Sequence, residues 1–170
     1  MHPIDGLPGD LPTEGRYVRE SASELSEMAL PIYANPVGNL LGGRVMHLVD
    51  IAGALAAMRH SRMTVVTASV DSMTFLYPVH IGQQIILKAC VNRVFHTSME
   101  VGVKVLVENL RSGDIRHTSS AYLTFVAIDD NGARLQVPQV IPETPDEVRR
   151  WLKAEERRKY RLELKAKVKR

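Results

Sequence analysis

The chain is poor in aromatic residues and almost free of cysteine. Only 5% of its 170 residues are aromatic, and Cys90 is the single cysteine. One cysteine excludes an intrachain disulfide and any zinc site built from two or more cysteines of one chain. Cys90 stands between Ala89 and Val91 in an apolar run and reads as a packing residue. The six histidines show no ligand spacing such as HExxH, so no metal is expected. No apolar run reaches the roughly 20 residues that cross a bilayer. The opening MHPIDGLPGDLPTEG has neither the basic start nor the apolar stretch of a secretory signal, and a cytoplasmic location is expected.

What is present is an apolar fraction of 45%, enough for one packed domain at this length. Charge is unevenly placed. Asp146 to Arg170 holds 11 Lys or Arg against 5 Asp or Glu, a net +6, while the preceding 145 residues hold 11 against 14, a net −3. The basic balance belongs to the tail, and its alternating acidic groups suit a solvated helix. With no aromatic cluster for base stacking, a nucleic-acid partner is not expected.

Residues 1–17 carry Pro3, Gly6, Pro8, Gly9, Pro12 and Gly15 without a period and read as a loose arm. Met28, Leu30 and Ile32 alternate and predict a strand over Ser26 to Tyr33, weakened by Pro31. The turn-rich NPVGNLLGG, Asn35 to Gly43, leads into a helical pattern from Arg44 to His60, where Val45, Leu48, Val49, Ala52, Leu55 and Ala56 recur at three and four residues. Its many small residues would let a sheet wrap it closely. Strands are predicted over Thr64 to Met73, Phe75 to Tyr77, Gln84 to Phe95, Ser98 to Asn109 and Thr118 to Ile128, followed by the turn Asp129-Asp130-Asn131-Gly132. One early helix and then long strands on short turns imply an α+β fold, an antiparallel sheet curled round that helix. Thr144 as cap, Pro145 at the first position and Glu147 three residues after the cap predict a last helix to about Leu164. Val148, Trp151, Leu152 and Tyr160 are its expected docking stripe. Its basic end is expected to stay in water, which would make residues 156–170 dispensable for activity.

Asp50 is the residue that calls for an explanation. It lies within the predicted helix between Val49 and Ile51, with Met46 and Ala54 one turn away, and a carboxylate in apolar company needs partners or a task. Two readings follow: a helix-edge carboxylate bonded to solvent or another subunit, or a catalytic base or nucleophile in an apolar groove. Gly42 and Gly43 sit at the helix start, where unsatisfied amides point outward and bare backbone admits a ligand. Such amides suit an oxygen that gains negative charge during acyl transfer. His47 shares the Asp50 face, and a His–Asp pair would suit hydration of an enoyl thioester.

Asn35-Pro-Val-Gly-Asn-Leu-Leu-Gly-Gly43 followed by Asp50 resembles the active-site segment of hotdog-fold acyl-CoA thioesterases, the single-domain bacterial type related to brain-type acyl-CoA hydrolases. The resemblance continues through Asp71-Ser-Met-Thr-Phe75-Leu-Tyr-Pro78, Gly82, Thr97-Ser98-Met99-Glu100 and Thr124-Phe125-Val126-Ala127, and covers about Met28 to Pro138. It implies a hotdog domain over 18–142, with a helical extension over 143–170. It implies hydrolysis of acyl-CoA to fatty acid and coenzyme A, with no cofactor beyond the coenzyme A of the substrate. Asp50 takes the role of general base or nucleophile, Asn35 positions the thioester or attacking water, and Gly43, with Gly42 beside it, faces the carbonyl. In the family the asparagine and aspartate of one site come from different subunits, so a homodimer is implied and a trimer of dimers suggested. Gly42, Asp71, Phe75, His96, Thr97 and Ser98 become candidate substrate or coenzyme A contacts. The family often has Gly-Arg where this chain has Phe95-His96, which removes an expected phosphate cation; His96, Arg93 and Arg59 are the candidate replacements. A hotdog hydratase or dehydratase and a non-catalytic acyl-CoA sensor are the competing readings.

Overall fold

The structure is a computed structural model and describes residues 11–168. In chain order it contains β1 (Arg16–Tyr17), α1 (Val18–Ser21), β2 (Ser23–Met28), a 3-10 turn at Pro31–Tyr33, α2 (Gly42–Ser61), β3 (Thr64–Val70), β4 (Gln84–Phe95), β5 (Ser98–Glu108), β6 (Ile115–Ile128), β7 (Val140–Ile141) and α3 (Pro145–Val168). Five strands form one antiparallel sheet in the order β2-β4-β5-β6-β3, so β3 and β2 are its edges. The sheet curls round α2, the hotdog arrangement expected from the sequence.

Alternation builds the core. Ile85, Leu87, Ala89 and Val91 of β4 and Val101, Val103, Val105 and Val107 of β5 are buried with Val45, Leu48, Val49, Ala52 and Ala56 of α2. The helix comes close enough to the sheet that a Cβ on Gly53 would stand 2.9 Å from the Phe125 ring. Ala52, Ala56 and Ala57 are fully buried on the same side. The small-residue run thus sets the helix-to-sheet distance.

Several predicted elements change, and β6 begins at Ile115 rather than Thr118. The strand placed over Ser26 to Tyr33 lies earlier, at Ser23–Met28, and Pro31 instead opens a 3-10 turn, since proline brings no donor to a ladder. The strand from Thr64 ends at Val70 rather than Met73. Phe75 to Tyr77 is not a strand: the Leu76 amide donates to the Thr118 carbonyl and the Ser119 hydroxyl to the Thr74 carbonyl, at 2.8 and 2.9 Å, strapping an irregular segment across β6. The expected arm is shorter than 1–17, because β1 pairs in parallel with β7; residues 1–10 lie outside the described residues.

At the helix α3 start, the Glu147 amide donates to Thr144 Oγ1 at 3.2 Å and the Thr144 amide to Glu147 Oε2 at 3.1 Å. This is the predicted reciprocal cap. Thr144→Ala should cost about 0.5–2 kcal/mol, read from a denaturant midpoint.

The docking face of α3 departs from the expected stripe. Val148 and Trp151 are buried, but Leu152 and Tyr160 are exposed, and the buried position in the next turn is Ala154. Further along, the same face carries Arg157 and Arg161. Their side chains are 21% and 17% exposed and reach Glu100, which is 0% exposed. The basic end is therefore docked, not wet, over these turns.

His60, buried at the end of α2, shares a 2.8 Å hydrogen bond between Nε2 and the Pro138 carbonyl, while its Nδ1 has no partner among the described residues. Burial lowers its pKa below the ordinary 6.5, with the nearby Arg16 adding to the effect. Above pH about 6.5 both folded and unfolded chains hold the ring neutral. As pH falls through that value only the unfolded chain takes the proton, so this contribution to stability is lost. The stability gap between the parent and His60→Gln should narrow between about pH 7.5 and 5.5 in thermal melts.

Candidate active site

Asp50 sits midway along α2 on the flank of the helix that meets the edge strand β3. It is half-buried, and its Oδ1 accepts a 2.7 Å hydrogen bond from the Thr67 hydroxyl of β3. A β-bulge brings the threonine there. Pairing shifts between Thr67 and Ser69, so Thr67 stands opposite Phe125 and Val70 opposite Leu123, both on the helix side of the sheet. Without the extra residue, Ala68, one of the two would face outward. Thr67 is the candidate site residue that the sequence alone does not single out. In the sequence it is one of two threonines in a β-branched run, with nothing further to mark it.

Gly42 and Gly43 form the first turn of α2, with Leu41 as the cap. The Leu41 carbonyl accepts from Arg44 and Val45, and among the described residues the Gly42 and Gly43 amides have no acceptor. A Cβ on Gly43 would meet nothing within 4 Å, so the helix start is uncovered on that side. The Phe75 ring lies 3.6 Å from a Cβ built on Gly42, which brings the predicted Phe75 to the helix start.

Asn35 closes its own turn. Its Oδ1 accepts from the Val37 and Asn39 amides at 3.1 and 3.0 Å, and its own amide donates to the Asn39 carbonyl at 2.7 Å. The carboxamide NH2 is left as the group able to meet a ligand. Within one protomer no hydrogen bond joins Asn35 to Asp50 among the described residues. Helical rise alone separates Gly43 from Asp50 by about 10 Å.

The remaining candidates divide. His96, Thr97 and Ser98 form the tight turn from β4 to β5, with His96 exposed at φ 64° and the Thr97 carbonyl accepting from Ala127 at 3.1 Å. Asp71 instead belongs to the other side of the sheet. Its amide donates to the Tyr122 carbonyl, and its carboxylate pairs with Arg161 at 2.9 Å, an assignment to α3 rather than to the Asp50 groove. Burial raises the Asp71 carboxyl above its usual range, and Arg161 opposes that shift. Two proposed phosphate cations are also committed elsewhere: Arg93 stacks on Trp151 and pairs with Glu155, and Arg59 donates to the Ala22 carbonyl. His47 is exposed. Among the described residues no cluster of three His, Cys, Asp or Glu forms a metal site, and no helix is long and apolar enough to cross a membrane.

The outward face of α2 is apolar round Asp50. Met46, Ile51, Leu55 and Met58 are exposed there, as is Val70 on the helix side of the edge strand β3. By contrast, a cleft of about 560 Å³ lies between the outer sheet face and the first turns of α3, lined by Lys88, Cys90, Gly102 and Arg150 and by neither Asp50 nor Asn35.

A family profile described as the thioesterase superfamily matches residues 37–113. An uncharacterized acyl-CoA thioester hydrolase of Bacillus subtilis is 38% identical over 135 residues, 79% of this chain and 78% of that protein. A hexameric acyl-CoA thioesterase superposes with a TM-score of 0.86 at 37% identity, over 88% of this chain and 96% of the other. The Staphylococcus aureus acyl-CoA hydrolase, solved with butyryl coenzyme A and coenzyme A, gives 0.81 at 32% identity, over 91% and 96%. That enzyme has also been solved with alanine in place of an asparagine, an aspartate and a threonine, spaced along its chain as Asn35, Asp50 and Thr67 are spaced here. This chain belongs to the thioesterase superfamily, within its acyl-CoA thioester hydrolases.

Proposed function

We propose that the protein hydrolyses acyl-CoA thioesters to a carboxylic acid and coenzyme A, at a site shared between two copies of the chain. The observation that carries this reading is the Asp50 carboxylate, held by the Thr67 hydroxyl on an apolar helix face with free backbone amides at the helix start. The Gly43 amide takes the thioester oxygen as it gains charge. Asp50 either removes a proton from water or attacks the carbonyl carbon itself, and the thiolate leaves without the acid help an alkoxide needs. Asn35, through its free carboxamide NH2, orients the thioester or the water. Phe75 flanks the acyl entrance, and His96, Thr97 and Ser98 form a turn suited to the nucleotide end. The matching spacing of substituted residues in the Staphylococcus aureus enzyme supports the grouping of Asn35, Asp50 and Thr67.

Self-association follows from the same surface. The exposed apolar residues of α2 and the unpaired edge of β3 would be covered by a second copy, which would bring its Asn35 toward Asp50. A trimer of such dimers is the assembly proposed, in keeping with the hexameric relative. The hotdog domain spans 18–142 and the extension 143–170, and the protein is placed in the cytoplasm.

The test is steady-state hydrolysis of acetyl-, medium- and long-chain acyl-CoA, followed by release of free thiol. Turnover with thiol release is expected. Hydration of an enoyl thioester without free thiol would instead make the protein a hydratase, and binding without turnover a sensor. A fully active monomer in sedimentation would remove the shared site.

A further inference from the structure

The bulge at Ala68 does two things at once. It keeps Thr67 on the helix side of the sheet, against Asp50, and turns Asp71 to the outer side, where α3 lies. There Arg161 Nη1 donates to Asp71 Oδ2 at 2.9 Å and to Glu100 Oε2 at 3.1 Å. Arg157 donates through Nη2 to Glu100 Oε1 at 2.6 Å and lies over the Tyr122 ring at 3.7 Å. Asn92 Nδ2 completes the Glu100 contacts at 3.2 Å. Glu100 is thus a buried anchor on β5, in the middle of the sheet, and Arg161 bridges it to the end of β3.

That bridge matters because β3 is an edge. Among the described residues only β6 pairs with it, and the bulge interrupts that ladder just beyond the Thr67–Asp50 contact. Ser69 and Val70 rejoin β6 past the break, and the Asp71 amide bond to Tyr122 and the Asp71–Arg161 pair then tie the chain where β3 ends. We infer that Arg161 and Asp71 are positioning residues for hydrolysis: the α3 latch fixes the exit of β3 and so holds the Thr67 hydroxyl on Asp50. The inference rests on the proposed role of Asp50. It makes the C-terminal helix part of the catalytic apparatus although neither residue touches the reacting atoms.

Kinetics of Arg161→Gln and Asp71→Asn, each alone and on a Thr67→Val background, test it in the assembled protein. Per folded protomer, each single change should lower kcat by about threefold to tenfold and leave KM within about twofold. On the Thr67→Val background neither should lower kcat further, and Arg161→Lys should recover part of the loss. A purely structural latch would lower the melting temperature and leave kcat of the folded protein untouched, which overturns the proposal. The same loss persisting on the Thr67→Val background overturns it too. If Arg161→Gln does not assemble, the isosteric Asp71→Asn and the charge-keeping Arg161→Lys carry the comparison. Parental turnover in Asp50→Asn would strike the underlying site instead, and is read from a separate variant.

Discussion

Asp50→Asn should retain the fold and the assembly while turnover falls by about 10²–10⁴-fold, with coenzyme A binding little changed. The substitution preserves the shape and an oxygen for the Thr67 hydroxyl, which donates at 2.7 Å. It removes the charge that a base or nucleophile needs. Thiol release under saturating substrate, with binding measured separately by calorimetry, checks both halves of this expectation. Near-parental turnover would reject Asp50 as the catalytic group.

The second large effect lies far from the reacting atoms. Arg157→Ala should cost about 3–5 kcal/mol in denaturant unfolding, because it removes the fork that meets Glu100 in a fully buried position. Arg161 still reaches the same carboxylate at 3.1 Å, so the loss belongs toward the lower end of that range. Truncation after Glu156 removes both arginines and should destabilise more than either single change. This reverses the sequence-based expectation that the basic end of the last helix stays in water. An unchanged unfolding midpoint in Arg157→Ala would show that Asn92 and Arg161 suffice for Glu100.

The reason for that reversal is physical. Hydrophobic periodicity assumes that a docked helix face is apolar, and it selected Leu152 and Tyr160. The face that docks runs through Trp151, Ala154, Arg157 and Arg161, and its later turns meet carboxylates rather than a core. Arginine can cover a sheet with its stem while its head pairs, and a scan for apolar residues passes over it. Thr67 was hidden for another reason: a bulge changes which side of the sheet a residue faces, and alternation cannot register an extra residue that leaves no proline or glycine mark. Pro31 did leave such a mark, and its effect on the first strand was legible as a weakness though not as a new boundary.

Where local chemistry and periodicity agree, the reading was close. Arg44 to His60 and the observed Gly42–Ser61 differ by two residues at one end and one at the other. Gln84–Phe95 was placed without error, and the cap at Thr144 forms its reciprocal hydrogen bonds. The site residues separate on the same principle. Gly42, Gly43 and Asp50 follow from their places on one helix, whereas the company of Asp71 depends on β3, β5 and α3 together, which no single stretch of sequence contains.

The central claim is a thioester-hydrolysing site in which Asp50 of one copy works with Asn35 of another. Subunit exchange between Asp50→Asn and Asn35→Ala, each nearly inactive alone, tests it most directly through thiol release by the mixed protein. In a mixed dimer one site carries both defects and the other carries neither, so activity should return to at most about half the parental value per heterodimer. No recovery despite exchange verified by mass spectrometry would contradict the shared site.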